Sequence, residues 1–210
     1  MLTFVGIGPG DPELVTLKAA RVIREADAVA IPDTGTGRSL VREILGDLLD
    51  GKPVLRLPMP MRGKREDWKT AHEAAAERIL EWLKTYPNIA YPVLGDPGIY
   101  ATSSYLMRLI EEKHPCAVIP GIPTMCAAAA RLGIPLCEQG ETLTVNDDGT
   151  LPEGTVVSMK ASRKLDALRA AVNGRKAYLV QELGLPNELV TELKEDTEIP
   201  VSYFTTVIVK

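Results

Sequence analysis

Leu2-Thr3-Phe4-Val5-Gly6-Ile7-Gly8-Pro9-Gly10-Asp11-Pro12-Glu13, followed by Ala28-Val29-Ala30-Ile31, decides the fold. Residues 2–7 are a short apolar run ending in glycines, the pattern of a buried strand. Asp11 before Pro12 suits a helix N-cap with proline at the first helical position, where the missing N–H is not needed. Val15, Ala19, Val22, Ile23 and Ala26 then recur on one helical face. Residues 28–31 read as a second buried strand. Strand, glycine turn, helix and strand in this order form the unit of a parallel sheet.

Working outward, residues 40–49 predict a short helix and residues 53–57 a third strand. Pro58-Met59-Pro60-Met61-Arg62-Gly63-Lys64-Arg65 alternates proline with methionine and then adds three cations, so it is irregular. The next helix carries Trp68, Ala71, Ala75, Ile79 and Trp82 on one stripe. Residues 88–94 read as a strand that ends in Gly95-Asp96-Pro97-Gly98, and a helix with Tyr105, Leu109 and Ile110 follows. Residues 116–119 read as a strand that stops at Pro120-Gly121-Ile122-Pro123, ahead of an alanine-rich helix over 124–132. Strands over 155–159, 177–180 and 202–209, with a helix near 165–172, make the second half strand-rich and mixed in direction. The expected architecture is α/β with two domains, 1–114 mainly parallel and 115–210 mixed. The charged connection Glu111-Glu112-Lys113-His114-Pro115 marks the expected boundary.

At 210 residues, 45% apolar and 25% charged, the composition is that of an ordinary globular protein. No apolar run approaches the ~20 residues that cross a bilayer. The start of the chain lacks a positively charged region before its apolar run, so it reads as a strand and not as a signal peptide. With 24 basic against 28 acidic residues, the charge argues against a general nucleic-acid binder. Cys116, Cys126 and Cys137 form no CxxC and sit far from both histidines, so no metal cluster is expected. Reduced, core-packed thiols in a cytoplasmic protein are the expected reading. His72, near the apolar stripe of its helix, reads as structural and not as a metal ligand.

Gly6-Ile7-Gly8-Pro9-Gly10 is close to a dinucleotide fingerprint and departs from it in chemistry. The third glycine position falls on Asp11, whose carboxylate repels a pyrophosphate, and Pro9 removes a backbone donor. The turn suits a ligand without phosphate that backbone approaches closely. The plainer alternative is a tight turn with no ligand. Two further turns, Leu94-Gly95-Asp96-Pro97-Gly98-Ile99 and Pro120-Gly121-Ile122-Pro123-Thr124, also follow apolar strands. Ligands of open α/β sheets sit at the carboxyl ends of strands, so the three turns are expected to converge. Asp96 is the side-chain anchor of that edge, or else the acceptor of an Asx turn.

These residues carry a resemblance. The segment from Gly6 to Ala20 resembles the opening signature of the tetrapyrrole (corrin/porphyrin) methylase family. Leu94-Gly95-Asp96-Pro97 is similar to its second signature. Pro120-Gly121-Ile122 with Leu132-Gly133-Ile134-Pro135-Leu136 is similar to its third. Pro58-Met59-Pro60-Met61, Tyr100-Ala101-Thr102-Ser103-Ser104-Tyr105-Leu106, the run from Ala127 to Gly133, Met159-Lys160, Leu183-Gly184-Leu185-Pro186 and the ending from Tyr203 to Val209 resemble the precorrin-2 / cobalt-factor II C20-methyltransferase branch. The chain is short for that branch, around Asp147 to Pro152.

The resemblance implies a homodimer that binds S-adenosylmethionine in a cleft between its two domains and methylates a reduced tetrapyrrole at C20 in cobalamin biosynthesis. Matched by motif, the cofactor contacts are Pro9, Leu94, Gly95, Asp96, Ile99, Thr124, Met159 and Leu183, mostly through backbone. The substrate carries eight carboxylates, for which the candidate cations are Arg38, Arg62, Lys64, Arg65, Lys160 and Arg163. Met59 and Met61 suit the flat face of the macrocycle, or else ordinary core or lid packing. The nucleophilic bridge carbon needs mainly in-line positioning and water exclusion, and a base for the departing proton is left open. Uroporphyrinogen-type relatives carry an aspartate at the end of the second strand, where this chain has Pro32 with Asp33 beside it, so Asp33 is a weak candidate. The rivals are a same-fold methylase of another tetrapyrrole position or of a protein side chain, a nicotinamide-dependent oxidoreductase using Asp33 for ribose, and a scaffold without catalysis.

Overall fold

Every residue of Leu2–Gly6 (β1) is buried, as expected of a strand with neighbours on both sides and helices on both faces. The computed structural model describes residues 1–35, 37–59, 65–194 and 198–210, and for Arg65 the backbone alone. β1 is flanked by Ile89–Val93 (β4) and Cys116–Ile119 (β5), both parallel to it. Ala28–Asp33 (β2) and Val54–Pro58 (β3) complete a parallel sheet of order β3-β2-β4-β1-β5.

The connections step first toward β3 and then back toward β5. Right-handed crossovers therefore send the first two helices to one face and the next two to the other. Leu17–Glu25 (α1) and Leu40–Leu45 (α2) cover one face, where Ala19, Ile23, Val41 and Ile44 pack on Val5, Ile7, Val29 and Ile31. Arg65–Trp82 (α3) and Ser103–Ile110 (α4) cover the other, where Ala75, Ile79, Leu106 and Ile110 pack on Leu2, Phe4, Ala28 and Leu55. Each fully buried Leu or Ile contributes about 1.5–3 kcal/mol.

The helix expected to start at Pro12 is split. Asp11 caps a single 3-10 turn, Pro12–Leu14, and Thr16 then caps α1 afresh by accepting from Ala19 N–H at 3.1 Å. Two capping residues in succession each start their own turn.

The chain divides into two units, Met1–Pro123 and Thr124–Lys210. The boundary expected at 114/115 is thereby corrected. β5 is hydrogen-bonded to β1, so the first unit retains it. The second unit opens with Thr124–Leu132 (α5) and holds a sheet of order β6-β7-β10-β8-β9. Its strands are Leu143–Asn146 (β6), Thr155–Ser158 (β7), Ala177–Gln181 (β8), Leu189–Glu192 (β9) and Thr205–Val209 (β10). β6 and β7 are parallel and the other pairs antiparallel, the mixed sheet that was expected. α5 covers one face through Ala128 on Val157, Val180 and Ile208. Leu165–Ala171 (α6) covers the other through Leu168 on Val156, Leu179 and Val207.

Cys126 and Cys137 are exposed and Cys116 is half-buried, against the expectation of three core thiols. α5 spends Ala128 and Ala129 on the core and leaves Cys126 outside. Among the described residues, no helix is long and apolar enough to cross a membrane.

Candidate functional site

The carboxyl edge of the first sheet brings the three glycine turns together. Ile7 N–H donates to Val93 O at 2.9 Å, and Gly8 and Gly95 exchange N–H···O bonds of 3.3 and 2.6 Å. Gly6, Gly95 and Gly121 meet backbone to backbone. A Cβ on Gly121 would lie 2.2 Å from Gly95 O, and one on Gly6 would lie 2.4 Å from Gly121 N. No Cβ fits at Gly6 or Gly121 without backbone movement, which is why β1 ends in glycine and the turn after β5 carries one.

Asp96 binds the second turn to the third. Its Oδ1 accepts from Gly98 N–H at 2.7 Å and its Oδ2 from Gly121 N–H at 2.9 Å. The Asx-turn reading and the anchor reading are both fulfilled, by different oxygens. Asp11 Oδ1 accepts from Glu13 N–H at 2.8 Å.

The N–H groups of Gly8, Gly95, Gly98 and Gly121 are all spent inside the protein. Pro9, buried beside them, has none. A pyrophosphate needs such donors pointed at it. What these four glycines and Asp96 retain is acceptor capacity, on carbonyls and on the remaining lone pairs of the carboxylate. That chemistry favours a cationic, donor-bearing ligand and disfavours a dinucleotide. Leu94 and Ile99 are half-buried on either side of Asp96, and Ile99 N–H closes the turn on Asp96 O at 3.2 Å.

In the second unit the resemblance-implied residues also assemble. Met159 and Leu183 pack into one apolar cluster with Met125 and Ala128 of the helix that Thr124 opens. Met159 Sδ accepts from Thr206 Oγ1 at 3.8 Å, and Met159 N–H is held by Asn146 O at 2.7 Å. Lys160 follows with φ 51°, and Arg163 is exposed on the next 3-10 turn.

The remaining candidates are distributed differently. Asp33 ends β2 on the same edge as the glycine turns, and its Oδ1 accepts from Gly35 N–H at 2.9 Å. Arg38 is engaged by Glu43 through a bidentate pair with contacts of 2.8 Å, which holds the Glu43 carboxyl below its ordinary range. Met59 is 8% exposed and packs in the first unit's core. Met61, Arg62, Lys64 and the Arg65 side chain lie outside the described residues. His72 is buried, with Nδ1 2.8 Å from Trp68 O and its ring against Trp68, in keeping with a structural role.

Sequence reading missed Glu188. Its Oε2 accepts from Gly184 N–H at 2.8 Å and its Oε1 from Arg131 Nε at 2.7 Å. The signal was a glutamate four residues after the glycine of a strand-end turn. Among the described residues, no group of three or more His, Cys, Asp or Glu side chains is placed to hold a metal ion.

Comparison with known proteins follows from this geometry. A model of the family described as Tetrapyrrole (Corrin/Porphyrin) Methylases matches residues 1–197. A probable cobalt-precorrin-2 C(20)-methyltransferase of Methanocaldococcus jannaschii is 33% identical over 84% of this chain and 78% of its own. A precorrin-2 C(20)-methyltransferase of a Sinorhizobium species is 31% identical over 98% of this chain and 93% of its own. The uroporphyrin-III C-methyl transferase of Thermus thermophilus, solved in complex with S-adenyl homocysteine, shares the fold. Its TM-score is 0.68 at 21% identity, over 99% of this chain and 91% of that one.

Proposed function

The chain belongs to the tetrapyrrole (corrin/porphyrin) methylases, and from that premise we propose that it methylates precorrin-2 or its cobalt form at C20, in cobalamin biosynthesis, with S-adenosylmethionine as donor. The observation that carries the choice of donor is the edge where the N–H groups of Gly8, Gly95, Gly98 and Gly121 are spent inside the protein and Asp96 presents its carboxylate. When bound, S-adenosylmethionine supplies an electrophilic methyl on a sulfonium cation. The carboxylate of Asp96 and the carbonyls of the turns suit that charge and the hydrogen-bond donors carried with it. The closely packed glycines let backbone, and not side chains, line the contact. The candidate cofactor contacts are Pro9, Leu94, Gly95, Asp96, Ile99, Thr124, Met159 and Leu183.

C20 of the reduced tetrapyrrole is already nucleophilic, so the protein's work is alignment and exclusion of water. The relatives named for C20 methylation, aligned over most of this chain, support that position. In this reading the first unit carries the tetrapyrrole. Arg38, Arg62, Lys64, Arg65, Lys160 and Arg163 meet its carboxylates. Asp33, on the same sheet edge as Asp96, is the candidate acceptor for the C20 proton. The enzyme acts as a cytoplasmic homodimer, and light scattering on the purified chain tests its assembly.

The test of function is methyl transfer from labelled S-adenosylmethionine under anaerobic conditions, with precorrin-2 and cobalt-factor II offered separately. A single new methyl at C20 by NMR is the expected result, and the faster substrate tells whether cobalt precedes methylation. Tight cofactor binding with no transfer to either would keep the fold and discard the substrate.

A further inference from the structure

Two residues of the turn after β8 adopt the left-handed region, Glu182 at φ 47° and Gly184 at φ 74°. A glutamate is disfavoured there and stays only where its surroundings hold it. On one side, Glu182 N–H donates to Phe204 O at 3.0 Å and its Oε1 accepts from Ser202 Oγ at 3.0 Å. On the other side stands Glu188. Its N–H closes on Leu185 O at 3.0 Å, and its carboxylate reaches back to Gly184 N–H and out to Arg131. Arg131 belongs to α5, two turns along the helix from Thr124. Leu183, between the two strained residues, packs against Ala128 of the same helix.

We infer that Glu188 is a positioning residue for the cofactor, fixing the Leu183 turn against α5 so that Leu183 and Thr124 keep one relative geometry. The inference rests on the reading of Leu183 and Thr124 as cofactor contacts. Glu188 is not a catalytic residue, since its carboxylate is spent on Gly184 and Arg131. The pair differs from an ordinary surface ion pair. The Glu188 side chain is 22% exposed against 63% for Arg131, and one of its oxygens is committed to backbone. Burial pushes its carboxyl up, but the Gly184 N–H and the Arg131 guanidinium together outweigh this and hold it below the ordinary range. Losing the carboxylate frees the turn on its α5 side, while Glu182 still ties it to Phe204.

The test compares wild type, Glu188→Ala, Glu188→Gln and Arg131→Ala, with S-adenosylhomocysteine binding by calorimetry and steady-state kinetics in both substrates. Glu188→Ala is expected to raise KM for S-adenosylmethionine and Kd for S-adenosylhomocysteine about tenfold, the worth of one charge-assisted bond to backbone. Its kcat and its KM for the tetrapyrrole should stay within about twofold. Glu188→Gln, which keeps one acceptor, should recover part of the loss. Arg131→Ala, which leaves the Gly184 bond in place, should cost about twofold to threefold and serves if Glu188→Ala does not fold. A folded Glu188→Ala, or failing that an Arg131→Ala, with wild-type cofactor affinity overturns the inference. So does a loss confined to kcat or to tetrapyrrole KM. Wild type that binds no S-adenosylhomocysteine overturns the functional reading itself, a different outcome from wild type that binds and variants that bind equally.

Discussion

Two carboxylates hold two glycine turns in this molecule, one in each unit, and they do it under different constraints. Asp96 bonds backbone with both oxygens, and its partners sit where Gly6, Gly95 and Gly121 already touch. Glu188 gives one oxygen to Gly184 and the other to a mostly exposed arginine. The first arrangement has little slack, because a Cβ at Gly6 or Gly121 would already collide with backbone. The second depends on side chains that can rotate. The contrast assigns rigidity to the edge that presents acceptors and adjustability to the turn that carries Leu183.

The sharpest way to break this comparison is to add one methyl group to each side. Gly121→Ala places a Cβ 2.2 Å from Gly95 O and forces the backbone to move. It should cost about 3 kcal/mol or more in a denaturant melt and abolish cofactor binding. Gly184→Ala meets a left-handed φ penalty of about 1 kcal/mol and should leave measurable binding. Equal losses would remove the distinction.

Asp96→Asn is the next largest effect. The amide accepts one N–H but turns its own NH2 toward the other donor, so about 1–3 kcal/mol of stability is lost and cofactor affinity falls with it. Glu188→Gln should cost at most about 1 kcal/mol of stability, since its arginine faces solvent. A reversed order in paired melts would mean that the second turn is the rigid one.

A pH series sharpens the same point. The folded carboxyl of Glu188 titrates below its ordinary value of 4.5. Its contribution to stability is therefore fully present above that value and is lost as pH falls through the folded pKa. The wild-type melting curve should lose more between pH 6 and about 3 than that of Glu188→Gln. Identical slopes would contradict the assignment.

The smallest effect is kinetic. Cys126 and Cys137 are exposed, whereas burial, with Glu111 nearby, pushes the Cys116 thiol up. A thiol reagent near pH 8 should label two sites fast and Cys116 slowly. Three equal rates would mean that β5 opens readily at the sheet edge.

Much of this was legible before any coordinates, and the reason is local. Strands ending in glycine announce both their burial and their turns. Hence β1, β4 and β5 and the convergence at Gly6, Gly95 and Gly121 followed from Leu2-Thr3-Phe4-Val5-Gly6 and its counterparts. Asp96 was legible because an aspartate before proline and glycine has few other uses. β6 and β9 were not, since Leu-Thr-Val-Asn and Leu-Val-Thr-Glu are short, half-polar and on sheet edges, where burial leaves little imprint. Met59 stayed open between two readings because a methionine beside proline looks the same in a core as on a ligand face. Glu188 escaped because its partner Arg131 lies 57 residues away, and no spacing rule joins them.

The central claim is that spent N–H groups and unspent acceptors select a cation over a phosphate. Calorimetric titration of the purified chain with S-adenosylmethionine and, separately, with NADH tests it most directly. The account predicts saturable binding of S-adenosylmethionine, weakened about tenfold in Asp96→Asn, and no heat from NADH. Binding of NADH without S-adenosylmethionine would contradict it.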